Sequence, residues 1–274
     1  MTQTTAYLDV PDGRLAYVEA GDTAKPPVVL LHAGYVDRRM WARELAHLSR
    51  RAHVVAPDAR AHGASSSPTR AFRQCDDVAA LVRHLDRGPA VLIGVSMGAG
   101  AAVDTALEHP ETVAGLVLSG AGTNEPSFTD PWALGLLARL QAAVEARDPA
   151  AWMAAELEFA AGPHRALGDL DADVVALLTT MHEHFVSTHV RPGVMPPDVV
   201  RGSWERLSEI TVPTLGIVGE LDGTDHIAMC ERAIAGVRDG RGVARIAGAG
   251  HFPNLERPQE WEAAVDRHLA ALLA

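Results

Sequence analysis

The stretch Ala90-Val91-Leu92-Ile93-Gly94-Val95-Ser96-Met97-Gly98-Ala99-Gly100 decides how the chain is read. Its first four residues form a short apolar run of the kind that makes a buried strand. Ala99 to Leu107 follow, small and helix-tolerant, and Glu108-His109-Pro110 stops them. Ser96 thus sits at a strand-to-helix turn inside a G-x-S-x-G pentapeptide, the setting of a nucleophile elbow. The glycines have a physical reason. The turn is sharp, and a side chain two residues either side of Ser96 would collide with neighbouring backbone. Such a turn lifts the hydroxyl out of the sheet and aims the amide of Met97 at the same space. A glycine-rich turn without chemistry has the same five residues, so the rest of the chain must decide.

Outward from this turn, buried strands and helices alternate. Ala6 to Val10 and Arg14 to Ala20 read as a hairpin across Pro11-Asp12-Gly13. Pro27 to Leu31 and His53 to Ala56 read as strands buried on both faces. Helices are predicted over Arg43 to Ser49 and Asp76 to Leu85, and another strand over Val113 to Leu118. The rhythm breaks near Ala121. From Pro126 to Leu207 only helices are predicted, over Trp132 to Ala146, Ala150 to Ala161 and Ala172 to His189. Gly162-Pro163 and Arg191-Pro192-Gly193 interrupt them. Alternation resumes with strands at Pro213 to Val218 and Val243 to Ile246, and helices at Asp225 to Val237 and Pro258 to Leu273. The fold class is therefore α/β, a mostly parallel sheet with helices on both faces. The expected organisation is a core over residues 1–122, a helical lid over 123–208, and the rest of the core over 209–274. A helical insertion of this kind belongs over the carboxyl ends of the strands, where open α/β sheets place ligands.

Composition narrows the function. The chain has 274 residues and a net charge of −11, which argues against nucleic acid and anionic membrane surfaces as partners. Its two cysteines, Cys75 and Cys230, have no metal-ligand spacing, and they fit a reducing, cytoplasmic setting. Met1 to Val10 lack the basic and apolar regions of a signal peptide, and no apolar run has the length of a membrane span.

A serine hydroxyl needs a neighbouring base held by a third group. His251, in the glycine-rich loop Gly248-Ala249-Gly250-His251 after the last strand, is the best placed of thirteen histidines. Asp222 ends the preceding strand in Gly219-Glu220-Leu221-Asp222, with Glu220, Asp225 and Glu125 as rival acids. A loop histidine is commonly a surface residue and an aspartate after a strand commonly a turn former. Three such residues after three buried strands, in the order Ser, Asp, His, make the stronger case. Two amides should bind the oxyanion, those of Met97 and Gly34. Tyr35, Met97, Trp132 and Phe252 flank the expected cleft and are equally suited to packing. His182, His184 and His189 with Glu183 lack the spacing of a metal site. His182 remains a pocket candidate because it lies in the expected lid.

At this point the chain resembles the α/β-hydrolase superfamily over nearly its whole length. The resemblance rests on Leu30-Leu31-His32-Ala33-Gly34, on Asp58-Ala59-Arg60-Ala61-His62-Gly63-Ala64-Ser65, on the elbow, on Gly219 to Asp222 and on Gly248 to Phe252. It implies Ser96 as nucleophile, Asp222 as acid, His251 as base and the Gly34 and Met97 amides as oxyanion hole, with no cofactor and no metal. Ala33 and Ala61 stand where the family usually has glycine. A serine at the elbow speaks against the branches with a carboxylate nucleophile. The expected activity is hydrolysis of a small carboxylic ester or lactone. C–C bond hydrolysis, a lyase or cyclase step on the same residues, and a silent ligand-binding member are the alternatives.

Overall fold

A computed structural model of the chain describes residues 4–272. Met1 to Gln3 and the expected end of the last helix at Leu273 lie outside the described residues. Strands β1 (Ala6–Val10) and β2 (Gly13–Ala20) form the expected hairpin, with Asp12 in the left-handed region at φ 67°. Then come β3 (Pro27–Leu31), α1 (Ala42–Leu48), β4 (His53–Pro57), α2 (Gln74–Leu85), β5 (Ala90–Val95), α3 (Met97–Glu108) and β6 (Val113–Ser119). Three long helices follow, α4 (Pro131–Ala146), α5 (Pro149–Ala161) and α6 (Ala172–His189). The sheet resumes with β7 (Thr214–Gly219), α7 (Thr224–Gly236), β8 (Gly240–Ile246), α8 (Pro253–Glu256) and α9 (Pro258–Leu272).

The eight strands form one sheet in the order β1-β2-β4-β3-β5-β6-β7-β8. Only the β1–β2 and β2–β4 pairs are antiparallel, so β3 to β8 run the same way. The central strands are apolar at every position because both faces are covered. Successive residues go to opposite faces. Val28, Leu30, Val91 and Ile93 join a cluster with Trp41 of the turn before α1 and Trp261 of α9. Val29, Leu31 and Leu92 join another with Val78, Leu81 and Val82 of α2, Ala99, Ala101, Ala102 and Val103 of α3, and Cys230 and Ile234 of α7.

Two local details go beyond the expected elements. Residues Arg38–Trp41 form a 3-10 turn ahead of α1, started by Asp37, whose side chain accepts the Arg39 amide. Helix α8 is only four residues long, too short to show a period. The helical stretch α4 to α6 leaves the sheet after β6 and returns at β7, which pairs directly with β6. It is packed into the protein rather than loosely appended. Ala160, Ala161, Leu178 and Met181 are buried in the same cluster as Trp41 and Trp261. No helix among the described residues is long and apolar enough to cross a membrane.

Candidate active site

The elbow is strained as its sequence requires. Ser96 has φ 52° and ψ −116°, an unfavourable conformation for any residue with a Cβ. Its amide donates to the Ser119 carbonyl of β6 at 2.8 Å, and its carbonyl accepts from Ala99 and Gly100. A Cβ on Gly94 would run into the backbone of Gly98 and Ala99. One on Gly98 would run into the carbonyl of Leu31, at the end of β3. The glycines let helix α3 start hard against two strands, and Ser96 is held at its first turn.

His251 and Asp222 come together 29 residues apart in sequence, in the loops after β8 and β7. His251 Nδ1 lies 2.9 Å from Asp222 Oδ2, and each residue is 1% exposed. The other Asp222 oxygen accepts the Gly223 amide at 2.7 Å. Burial works to raise the Asp222 pKa. The charge of His251 and its hydrogen bond, with His226 and the Gly223 amide, outweigh burial and hold the carboxyl below its ordinary range. Nε2 of His251 is buried without a hydrogen-bond partner among the described residues. His251 and Ser96 line the same cavity.

His226 completes this cluster and was not foreseen. Its ring meets that of His251 edge-on at 4.8 Å, and its Nδ1 is 3.8 Å from Asp222 Oδ1. Burial pushes its pKa down to about 4, so it is neutral at pH 7 and the contact with Asp222 is not an ion pair. Its position four residues after Asp222, on the first turn of α7, was the available signal.

The loop after β3 is fixed by two histidines. His32 Nδ1 donates to the Ala33 carbonyl and its Nε2 accepts the Ala59 amide at 2.9 Å. His62 Nε2 accepts the Tyr35 amide at 3.1 Å while its Nδ1 donates to Arg60. Burial and the nearby His32 push the His62 pKa down to about 3, which keeps it an acceptor. Between these anchors the amides of Gly34 and, across the gap, Met97 donate to no protein acceptor among the described residues. The two family departures have different costs. Ala33 has ordinary backbone and sits in the core at 2% exposure. Ala61 has φ 62°, a conformation that suits glycine. In the same loop Asp58 accepts the Ala64 and Arg38 amides and pairs with the Arg38 guanidinium, and a Cβ on Gly63 would overlap its carboxylate.

These loops open into a cavity of about 610 Å³ that the three inserted helices also line. Gly34, Tyr35, Ser96, Met97, His182, His251 and Phe252 all face it. Trp132 does not. It stacks at 6.3 Å on Phe159, which lines the cavity and meets the His251 ring edge-on at 4.5 Å. Trp132 therefore stands behind the wall rather than in it. Glu156 of α5 also lines the cavity and was not foreseen.

The rival acids are engaged elsewhere. Asp225 accepts the Thr129 and Asp130 amides at 2.8 Å and so ties down the entry to α4. Glu125 accepts the Ser203 amide and hydroxyl, and Glu220 is exposed. His184 and His189 each reach the Gly63 carbonyl at 3.0 Å, while His182 makes no such contact. Two groups of described residues have donors close enough for a metal ion, Cys75-Asp76-His109 and Asp222-His226-His251. In the second, two of the three donors already share the 2.9 Å hydrogen bond.

Residues 28–264 match the Alpha/beta hydrolase family. The chain is similar to 3-oxoadipate enol-lactonase 2 of Acinetobacter baylyi, 24% identical with 94% of each chain covered. It is 27% identical to a pimeloyl-[acyl-carrier protein] methyl ester esterase of Aromatoleum aromaticum, over 86% of this chain and 95% of that one. The solved structure of a hydrolase from Pseudomonas aeruginosa PA01 superimposes with a TM-score of 0.79 at 27% identity, covering 98% of this chain and 99% of the other. The matched region spans β3 to α9 and contains the elbow, both supporting loops and the His251–Asp222 pair; the chain belongs to the alpha/beta hydrolase family.

Proposed function

We propose that this protein is a serine hydrolase of small carboxylic esters or lactones. One observation carries the reading. A buried histidine is bonded through Nδ1 to a buried carboxylate, has its other nitrogen free, and shares a cavity with a serine on a strained elbow. Such a histidine is oriented to take a proton from the serine. Relatives named as an enol-lactonase and an esterase point to the same bond type.

In the first step Ser96 Oγ bonds to the carbonyl carbon as His251 Nε2 takes its proton. The oxyanion is held by the Gly34 and Met97 amides, which have no protein acceptor to give up. The carbon–oxygen bond to the leaving alcohol then breaks, and His251 returns the proton to that oxygen. Water, deprotonated by His251, cleaves the acyl-enzyme and restores Ser96. Asp222 holds the tautomer with Nδ1–H and stabilises the imidazolium. Protein groups supply every proton transfer, so the reaction needs no cofactor. Residues 123–208 act as the lid, which excludes bulk water and shapes the pocket.

The cavity also bears on substrate charge. Among the described residues Arg60 is the one arginine or lysine in its lining, and that guanidinium is held by both Asp77 oxygens at 2.7 and 2.8 Å. A substrate carboxylate finds no unpaired arginine or lysine among the described lining residues, which favours uncharged esters. The test is hydrolysis of a panel of short- to medium-chain esters and lactones in oxygen-labelled water, with Ser96→Ala run alongside. We expect label in the acid product and a loss of about 10^4-fold or more in the variant. A folded Ser96→Ala protein with full activity overturns the mechanism.

A further inference from the structure

The hydrolytic mechanism leaves a buried carboxyl in the cavity without a use. Glu156 is 7% exposed, lines the same cavity as Ser96 and His251, and makes no hydrogen bond to any described residue. A buried carboxyl normally finds a partner, because one taken from water without a replacement hydrogen bond is destabilising. Its neighbours along α5 locate it. Phe159, three residues on, packs against His251. Trp152, four residues back, packs against Tyr35, His182 and Phe185. Glu156 thus stands about one helical turn, roughly 5 Å along α5, from the residue touching the catalytic imidazole.

The charge state follows from the surroundings. The other ionisable groups facing the cavity are Tyr35, Arg60 and the histidines His62, His182, His189, His226 and His251. Arg60 is committed to Asp77, and burial lowers the pKa of His62, His182, His189 and His226. None of these supplies a cation to Glu156. Burial alone pushes its own pKa up to about 8, so at pH 7 it is a carboxylic acid with an O–H to donate.

We propose that Glu156 is a specificity-determining residue that donates a hydrogen bond to an uncharged acceptor, a ketone, amide or second ester carbonyl, carried by the substrate away from the bond that is cleaved. This rests on the ester-hydrolase reading above. An alkyl chain in that place would leave the carboxyl unsatisfied, whereas a carbonyl satisfies it. Selectivity built this way exceeds that gained from one methylene in an apolar pocket.

The test compares pentyl hexanoate with pentyl 5-oxohexanoate and 4-oxopentyl hexanoate, which put a ketone on either side of the scissile ester, and with the cationic pentyl 6-aminohexanoate. Turnover is followed by titration of released acid. Wild type should favour one keto ester over its parent by about tenfold in kcat/KM, or about 1.4 kcal/mol. Glu156→Gln should keep most of that preference, since a carboxamide also donates. Glu156→Leu should abolish it, read as the ratio of kcat/KM for the two esters within that one variant. Unchanged preference in Glu156→Leu overturns the proposal. So does loss of preference in Glu156→Gln together with a wild-type preference for the amino ester, which would mean a carboxylate paired with a cation. Calorimetry separates this from the wider reading. Ser96→Ala should bind the preferred keto ester more tightly than its parent, and Ser96→Ala/Glu156→Leu should bind both equally. If wild type cleaves no ester, the hydrolase reading fails while this binding difference still decides the role of Glu156.

Discussion

Replacing Glu44 with glutamine probes what an unpaired buried acid does to stability. Glu44 lies on α1 at 0% exposure, and both its carboxyl oxygens are buried without a hydrogen-bond partner among the described residues. The Asn254 side chain is close by but makes no hydrogen bond of normal geometry with it. Burial pushes its pKa from 4.5 up to about 8. Glu262 adds to the push, and Arg43 opposes it. Between these two values the folded state binds about one proton more than the unfolded chain, so stability falls by about 1.4 kcal/mol for each pH unit gained. The contribution is whole below pH 4.5 and lost by the time pH passes the folded pKa. At pH 7 the accumulated cost is about 3 kcal/mol. Glutamine has the shape of the protonated acid and ionises in neither state. Glu44→Gln should therefore match wild type near pH 4.5 and exceed it by about 3 kcal/mol at pH 7, raising Tm by roughly 6–12 °C. Urea unfolding at several pH values between 5 and 8 measures this directly. A gain independent of pH, or none at pH 7, would refute the claim that burial keeps a proton on Glu44.

The acid assignment is checked by a pair of variants. Asp222→Asn should lower kcat by about 10^3-fold to 10^4-fold by losing the tautomer that orients His251. Asp225→Asn, whose side chain is held by the Thr129 and Asp130 segment, should stay within about tenfold of wild type in ester hydrolysis. The reverse pattern would transfer the role. Ala61→Gly should raise stability by about 1 kcal/mol in the same unfolding assay, because its φ of 62° penalises a Cβ. A loss of stability there would show that the alanine methyl contributes more by packing than its backbone costs.

Much of this molecule could be read from local chemistry. Gly94 and Gly98 announce a turn because their places cannot hold a Cβ, and that constraint is visible in the letters themselves. His251 and Asp222 could be paired because each follows a strand, and parallel strands deliver their ends to one edge of the sheet. The cavity wall was harder. Trp132 and Phe159 are both aromatic residues on inserted helices, yet only Phe159 reaches the cavity, since the packing of α4 against α5 decides which of two stacked rings is in front. Glu156 left a fainter trace, a single acid on a helical face shared with Trp152, Phe159 and Ala160. Periodicity marks such a residue as misplaced but does not say what space it faces.

The pairing of β6 with β7 has a consequence for how this protein can change over time. The excursion through α4, α5 and α6 begins and ends at neighbouring positions in the sheet, so the two anchor points are held together whatever lies between them. Lengthening or exchanging such a closed excursion costs little in chain entropy, because loop closure grows only logarithmically with length. Ser96, Asp222 and His251 stand on loops outside the excursion, while Glu156, Phe159, His182 and Phe185 stand within it. Heredity can therefore revise what is admitted and leave alone what is done to it, and two chains with the same sheet and the same serine can diverge in diet one helix at a time.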